Sequence, residues 1–307
     1  MELLVFLFYK SFYGEREIEV ESHIPNRLEE GYGLNKEAIQ DIYNKGYRLM
    51  ITVDCGISAT EEIEFANSLG IKTIITDHHE PLEELPKALA VIDAKRKDNT
   101  YPFNQLAGVG VVFKLIQALG IKLELDEKEY LKYLDLVCVG TISDIVPLVD
   151  ENRVITKLGL KLVNVTKNLG LRYLLEATGY KNIDSNTISF GIAPRINACG
   201  RMGHETEALD IFLSNEINEV KELTEKLNEY NKTRQDTEKN IVKEALELIE
   251  KNKEDEKNAI VVGAKGWHHG VIGIVSSKIT ETYFKPSILV SFEDGIAKGS
   301  RKKYSRI

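Results

Sequence analysis

The chain has 307 residues, of which 29% are charged and 43% apolar, the composition of a folded, water-soluble protein long enough for two domains. Its 40 basic and 48 acidic residues give a net charge of −8, so a nucleic-acid partner would need a local basic patch. Three widely spaced cysteines without a Cys-x-x-Cys motif predict free thiols in a reducing cytoplasm. The apolar run at residues 3–9 lacks signal-peptide features and is too short to cross a membrane, which favours a buried helix.

The N-terminal third alternates short β-rich runs with helical patterns. Strands are predicted at residues 18–21, 49–54, 73–77 and 89–93. Helices are predicted at residues 35–45, 59–69 and 108–119, with Asn35 and Ser58 as the N-caps of the first two. Strands that alternate with helices of this length are typical of βαβ units, so the pattern predicts a parallel sheet.

The sequence from residue 128 onwards predicts a helical region, a long helix and a second α/β unit. Residues 128–149 and 154–175 have mostly helical patterns. Residues 215–253 are rich in Glu, Lys, Asn and Leu, contain no Gly or Pro, and repeat apolar residues at helical spacing. They predict one interdomain helix, broken at most once, before a polar hinge at 251–257. Strands at 259–262 and 287–290, with a helix at 273–283 between them, predict a smaller α/β unit.

Acidic and histidine side chains follow two of the predicted strands directly. Asp54 lies at the end of the predicted strand 49–54, and Asp77, followed by His78 and His79, lies at the end of the predicted strand 73–77. Ligands bind at the carboxyl ends of parallel strands, and neighbouring strands lie about 4.8 Å apart. Asp and His suit Mn²⁺, Mg²⁺ or Zn²⁺, so the pattern predicts a metal site, although a structural role is an equal alternative on spacing alone. Asp144, after a later apolar segment, is a weaker candidate.

Residues 189–201 form a low-charge segment with two arginines, Arg195 and Arg201. Guanidinium groups suit bidentate recognition of phosphate. A salt bridge to a neighbouring acid is the alternative interpretation.

The sequence of residues 266–273 predicts a glycine-rich turn that leads into a helix. Such a turn lets the backbone approach an anion at the helix N-terminus, and Trp267 would be able to stack on a base. The alternative is a turn with a packed tryptophan. His268 and His269 raise the possibility of a second metal site, but no acid with ligand-like spacing accompanies them, which favours phosphate contact.

Taken in order, these segments resemble the DHH phosphoesterase family, and within it the RecJ single-strand-specific exonucleases. The resemblance covers nearly all of residues 17–300, and the ordered set is far more specific than Asp-His-His alone. Its segments are Ile24-Pro25-Asn26-Arg27, Glu30-Gly31-Tyr32-Gly33-Leu34, Val53-Asp54-Cys55-Gly56, Asp77-His78-His79, Tyr101-Pro102-Phe103, Leu106-Ala107-Gly108-Val109-Gly110, Gly140-Thr141-Ile142-Ser143-Asp144-Ile145-Val146-Pro147-Leu148, residues 194–201 and residues 266–273.

The resemblance implies a Mn²⁺- or Mg²⁺-dependent nuclease that removes 5′ nucleotides from single-stranded DNA in repair and recombination. It implies an α/β fold with a parallel-sheet DHH domain at 1–213, a connector helix at 214–256 and a smaller α/β DHH-associated domain at 257–307. By position, the catalytic residues would be Asp77, His78 and His79, and the metal ligands Asp54, His78 and Asp144. The nucleic-acid contacts would be Arg195, Asn197, Arg201, Trp267, His268, His269 and Ser300.

Two departures from the family pattern shape the expectations. The family's first Asp-x-Asp motif is expected before residue 3, and the match to its Gly-Ser-x-Arg motif at residues 298–301 lacks one residue. We therefore expect a chain truncated at both ends, weak or inactive unless a complementary fragment supplies the missing aspartates. The alternatives are a non-catalytic binder of single-stranded nucleic acid and a DHH phosphoesterase for short oligonucleotides or pyrophosphate.

Overall fold

The computed structural model of the chain describes residues 19–25, 33–293 and 295–304. Its strands are β1 (Leu49–Val53), β2 (Lys72–Thr76), β3 (Ala90–Ile92), β4 (Ile260–Lys265), β5 (Ser287–Glu293) and β6 (Ile296–Lys302). Its α-helices are α1 (Lys36–Asn44), α2 (Thr60–Ser68), α3 (Gly108–Lys122), α4 (Lys128–Leu131), α5 (Leu134–Ser143), α6 (Asp150–Val163), α7 (Leu169–Thr178), α8 (Ala193–Arg201), α9 (Glu205–Leu213), α10 (Ile217–Asn252) and α11 (His269–Tyr283). The helix predicted at 3–9 lies outside the described residues.

The first sheet is parallel, as the sequence predicts. Its strand order is β1-β2-β3, with Val53 opposite Thr76 and Thr76 opposite Ile92, so the three strands end at one edge. Asn35 caps α1 by accepting a hydrogen bond from the Ala38 amide. The predicted Ser58 cap is wrong, because α2 begins after Ala59 without a side-chain cap. The predicted first strand is also wrong in its described part, since residues 19–21 form no strand.

The helices that follow the sheet build the main core. Helix α3 is buried along most of its length, as its apolar sequence predicts. Helices α5 and α6 pack closely enough that a Cβ at Gly159 would meet the carbonyl oxygen of Leu134 at 2.5 Å. A π-helical segment, Thr187–Ile192, leads directly into α8. The spacing of apolar residues in this segment does not distinguish a π-helix from an α-helix, so the sequence did not predict it.

Helix α10 is one unbroken helix of 36 residues, about 54 Å long at 1.5 Å per residue. Its first half buries Val220 and Leu227 in the main core, and its second half buries Ile241 and Ile249 in the core of the C-terminal unit. The prediction of a connector is therefore confirmed, because one helix supplies side chains to both cores. No helix among the described residues has the length and apolar character needed to span a bilayer.

The C-terminal unit is a β4-α11-β5 crossover with a further strand. Strands β4 and β5 are parallel, and β6 pairs with β5 in the antiparallel direction. The sequence did not predict β6, because its residues are nearly all exposed and have no alternating apolar pattern. Helix α11 begins at His269, four residues before the predicted start, because His268 is its N-cap.

Candidate metal centre and nucleic-acid groove

Asp54 lies in a strained turn at the end of β1. Its backbone has a positive φ of 59°, a region that residues other than glycine rarely adopt. The turn is closed by the Thr52 hydroxyl, which donates to the carbonyl of Cys55 at 2.7 Å, and by Gly56 with φ 106°. Strained non-glycine conformations of this kind cluster at functional sites. The turn directs a buried carboxylate away from the strand.

Gly108, the first residue of α3, forms one wall around that carboxylate. A Cβ at this position would lie 2.5 Å from Oδ1 and 2.8 Å from Cγ of Asp54. Only glycine leaves room for the aspartate in this arrangement. The glycine appeared in the sequence as a helix start, and its contact with Asp54 is visible only in the folded chain.

Asp77 is buried, and both of its carboxylate oxygens accept hydrogen bonds from the protein. Its Oδ2 accepts from the Ile57 amide at 3.0 Å, and its Oδ1 accepts from the His78 amide and faces Nδ1 of His79, both at 2.7 Å. Burial would raise the pKa of Asp77, but these hydrogen bonds together lower it. Asp77 therefore orients the two histidines and the turn at Ile57.

His78 lies between two carboxylates that come from distant parts of the chain. Its Nε2 is 2.9 Å from Oδ1 of Asp54 and 3.4 Å from Oδ2 of Asp144. Both oxygens are buried, and apart from the imidazole of His78 neither has a hydrogen-bond partner among the described residues. Two buried carboxylates and one imidazole therefore converge with few other hydrogen bonds to these oxygens, an arrangement typical of a metal site.

Asp144 reaches this position from the end of α5. It is the C-cap of that helix, and Ile145, with φ 57°, turns the chain away immediately afterwards. Burial and the neighbouring charge of Asp54 raise the pKa of Asp144. Burial disfavours a charged ring at His78, but Asp54 and Asp144 outweigh this and raise its pKa.

His79 points to a more open region beside His78. The two ring centroids are 4.5 Å apart, and the ring of His79 is 60% exposed. Its hydrogen bond to Asp77 raises the pKa of His79 to about 9. Ligand atoms of Asp54, His78 and His79 all lie within 4.8 Å of one another. The structure thus assembles the predicted residues at the carboxyl edge of the sheet.

Asp93 is an acid at this edge that the sequence analysis did not select. It follows β3, is buried, and accepts a hydrogen bond from the Lys95 amide at 2.7 Å, while its Oδ2 has no partner among the described residues. Burial raises its pKa. Its position at the end of the predicted strand 89–93 was the available signal.

The predicted phosphate-binding residues on α8 differ in their surroundings. Arg195 donates through Nε to Asn228 at 2.6 Å and through Nη1 to the carbonyl of Gly191 at 2.5 Å. This arginine therefore ties α8 to α10, and its partner is an amide rather than the acid considered from the sequence. Arg201 donates to the carbonyl of Gly270 at 3.0 Å, which joins α8 to the start of α11.

The predicted base-stacking role of Trp267 is wrong. Its indole is 2% exposed, packs in the core of the C-terminal unit and donates to Glu244 at 2.8 Å. His268 accepts from the Gly270 amide as the N-cap of α11. His269 does have an acidic neighbour, since its Nε2 lies 2.9 Å from Oε2 of Glu293, which β5 brings from a distant part of the sequence.

A cleft of about 300 Å³ lies between the two units of the fold, and the two chain neighbours of Asp144, Ser143 and Ile145, line it. Its walls include Ser143 beside Asp144, Asn197 and Arg201 from α8, Arg234 from α10 and Ile274 from α11. Ser300 lies beside α11, because its Oγ would be 3.2 Å from a Cβ at Gly273. Arg234 was not predicted from the sequence, because its i,i+4 pair with Glu238 resembles the charge pairs of an ordinary helix surface.

A parallel sheet with an Asp-His-His cluster at its carboxyl edge defines a DHH phosphoesterase fold. The family model for the DHH family, N-terminal domain, matches residues 3–141. A crystal structure of exonuclease RecJ bound to manganese superimposes with a TM-score of 0.87 and 34% identity, over 99% of this chain and 75% of that one. RecJ of Thermus thermophilus in complex with Mn²⁺ matches with a TM-score of 0.82 and 32% identity, over 94% and 41% of the two chains.

Curated relatives point the same way. The single-stranded-DNA-specific exonuclease RecJ of Bacillus subtilis is 43% identical over 288 residues, covering 92% of this chain and 36% of the relative. RecJ of Escherichia coli is 36% identical over 293 residues, covering 90% of this chain and 51% of the relative. The chain therefore belongs to the RecJ family of DHH proteins, and it spans about half or less of the length of these curated relatives.

Proposed function

We propose that this chain holds the hydrolytic centre of a RecJ-type exonuclease, which cleaves single-stranded DNA from the 5′ end with Mn²⁺ or Mg²⁺. The observation that carries the proposal is the convergence of Asp54, His78 and Asp144, with two buried carboxylate oxygens whose only polar neighbour among the described residues is the imidazole of His78. A relative named as a single-stranded-DNA-specific exonuclease and a structure of exonuclease RecJ bound to manganese match more than nine tenths of the chain.

The residues at the centre fit a divalent metal ion. Two carboxylates and one imidazole are hard and borderline donors, the set that suits Mn²⁺ and Mg²⁺. Asp54, His78 and Asp144 would hold the ion. When bound, such an ion lowers the pKa of a water ligand and offsets the negative charge of the phosphodiester.

The chain's other residues at this edge position the ligands and supply charge. Asp77 fixes the backbone of His78 and the ring of His79 through hydrogen bonds. The imidazole of His78 is thereby placed with Nε2 towards the carboxylate of Asp54. Because its pKa is raised to about 9, His79 is positively charged at neutral pH. That charge, on a half-exposed ring, would stabilise negative charge that develops on the phosphate.

The cleft beside the centre supports a single strand as the substrate. Two guanidinium groups, those of Arg201 and Arg234, line it in a protein with an overall charge of −8, although the charge of Arg234 is paired with Glu238. Such a local patch is what binding of a polyanion requires. The cleft is formed by both units, so the strand would lie between the DHH domain and the C-terminal unit.

Mn²⁺ titration by calorimetry is the direct test of the metal centre. We expect binding by the wild-type chain and loss of binding in Asp54→Asn and Asp144→Asn. Asp135→Asn is the matched control, because Asp135 is also buried but its Oδ2 accepts from Thr166 at 2.6 Å, within the helical core. Loss of binding in all three variants, or in none, would contradict the assignment.

A product assay tests the substrate. Single strands labelled at the 5′ or the 3′ end, duplexes and dinucleotides would each be incubated with the chain and Mn²⁺. Early release of the 5′ label from single strands alone supports the proposal. Salt-sensitive binding without cleavage would instead indicate a non-catalytic binder, and faster cleavage of dinucleotides would indicate a small-substrate enzyme.

Two further hypotheses accompany this function. The first is the domain division at 1–213, 214–256 and 257–307, which limited proteolysis followed by mass spectrometry would test. The second is that a complementary fragment supplies further acidic ligands. The stoichiometry of Mn²⁺ tests it, because a single ion bound by this chain and two in the presence of the fragment are expected.

A further inference from the structure

The first turn of α6 contains an asparagine with no contact to solvent. Asn152 is 0% exposed, and its Nδ2 donates to the carbonyl of Gln105 at 2.6 Å and to the carbonyl of Pro147 at 3.0 Å. Both amide hydrogens are therefore used. Its Oδ1 is buried without a hydrogen-bond partner among the described residues, an energetic cost that an apolar side chain would avoid.

The two carbonyl groups belong to two different segments of the metal centre. Gln105 lies three residues before Gly108, the residue that packs against the carboxylate of Asp54. Pro147 lies three residues after Asp144, beyond the sharp turn at Ile145. One buried amide thus joins the segment that confines the first carboxylate to the segment that delivers the second.

The residue next to Asn152 reinforces the same junction. Glu151 accepts a hydrogen bond from the hydroxyl of Tyr101 at 2.6 Å and forms an ion pair with Lys114 of α3 at 2.8 Å. The start of α6 therefore contacts the loop before α3, α3 itself and the loop after α5. The Glu151 contacts are partly exposed, whereas those of Asn152 are buried, so Asn152 has the stronger influence on geometry.

We propose that Asn152 is a positioning residue that sets the separation of Asp54 and Asp144, and hence the affinity of the centre for a divalent metal. This inference rests on the proposed metal-binding function. Asn152 contacts neither the carboxylates nor His78, and it acts through the backbone of the two segments. Residues that orient metal ligands in this way change metal affinity by about 10–100-fold when they are replaced.

The test compares Asn152→Ala with Asn168→Ala. Asn168 is a matched control, because it also joins two segments, donating to the carbonyl of Phe212 at 2.8 Å and accepting from the Leu171 amide at 2.9 Å, but at α7. We expect the dissociation constant for Mn²⁺ to rise about 10–100-fold in Asn152→Ala and to stay unchanged in Asn168→Ala. If Asn152→Ala does not fold, the same measurement is made on Asn152→Ser, whose hydroxyl retains one hydrogen-bond donor.

Amide hydrogen exchange in EDTA provides a second readout that needs no metal. In the Asn152 variant, peptides that cover 104–108 and 144–149 should both exchange faster than in the wild-type chain and in the Asn168 variant. Unchanged Mn²⁺ affinity, or unchanged exchange in either peptide, overturns the proposal. If the wild-type chain binds no Mn²⁺, the proposed function fails, and the exchange still decides whether Asn152 holds the two segments.

Discussion

Replacing Gly108 by alanine would test the geometry of the metal centre with a single methyl group. The added Cβ would lie 2.5 Å from Oδ1 of Asp54, about 1 Å inside the ordinary contact distance of about 3.5 Å. The carboxylate has to move by about that amount, and a misplacement of about 1 Å costs about 100-fold where function depends on position. We therefore expect Gly108→Ala to weaken Mn²⁺ binding by about 10–100-fold.

The stability of this variant separates displacement of the ligand from unfolding. Alanine gains about 1 kcal/mol over glycine inside a helix, whereas overpacking costs about 1–3 kcal/mol. The free energy of unfolding should therefore fall by about 0–2 kcal/mol, which leaves the protein folded. Urea unfolding in EDTA measures this quantity, and calorimetry measures the affinity.

Gly110→Ala is the control in the same helix. Its nearest contacts would all be with the side chain of Leu106, at 3.3 Å from Cδ2 and 3.5 Å from Cβ, so the substitution adds an alanine to the helix without a change at Asp54. We expect wild-type affinity for Mn²⁺ and equal or higher stability. Equal affinities of the two alanine variants would refute the reasoning that Gly108 provides the space for the carboxylate.

Three other predictions concern charge, packing and thiol reactivity. Because the bond to Asp77 raises the pKa of His79 to about 9, the pair stabilises the protein fully below about pH 6.5 and loses this effect as the pH rises through about 9. Because the ring is exposed, we expect the free energy of unfolding of His79→Gln to be lower than that of the wild type by at most about 1 kcal/mol at pH 6. At pH 10 the two values should be equal. Urea unfolding in EDTA measures both, and a difference that persists at pH 10 contradicts the prediction. Gly159→Ala should lower stability by about 1–3 kcal/mol in thermal unfolding, because its Cβ would meet the Leu134 carbonyl; unchanged stability would show that α5 and α6 separate easily. Burial raises the pKa of Cys138 to about 12, so mass spectrometry should find it unlabelled by a thiol reagent at pH 8 until urea is added, and labelling of the native protein would contradict its burial.

The sequence alone predicted the features that depend on local periodicity and on the residues at the ends of elements. The runs at β1 and β2 are β-branched and apolar, and the helix between them has the length of a βαβ crossover, so the parallel sheet and its acidic edge followed. The long helix α10 was predictable because apolar residues recur at helical spacing over 36 residues without Gly or Pro. Strand β6 was not, because its exposed residues have no such pattern.

The sequence also selected the acids and imidazoles that lie together at this edge of the sheet, but it did not establish that they meet. Asp144 comes from the end of a helix far along the chain, and only packing of that helix places its carboxylate 3.4 Å from His78. Asp77 carries the family signature, yet in the fold it makes hydrogen bonds that position its neighbours.

Tertiary structure alone decided which polar and aromatic side chains remain available. Trp267 is buried against Glu244, Arg195 is bound to Asn228, and His269 faces Glu293. Each partner lies on another element, at a sequence separation that no local pattern reports. Local patterns determine where chains bend and which faces are apolar, because backbone propensity and side-chain period act over a few residues. Contacts between elements depend on the packing of the whole chain, so the geometry of the metal centre could be known only from the fold.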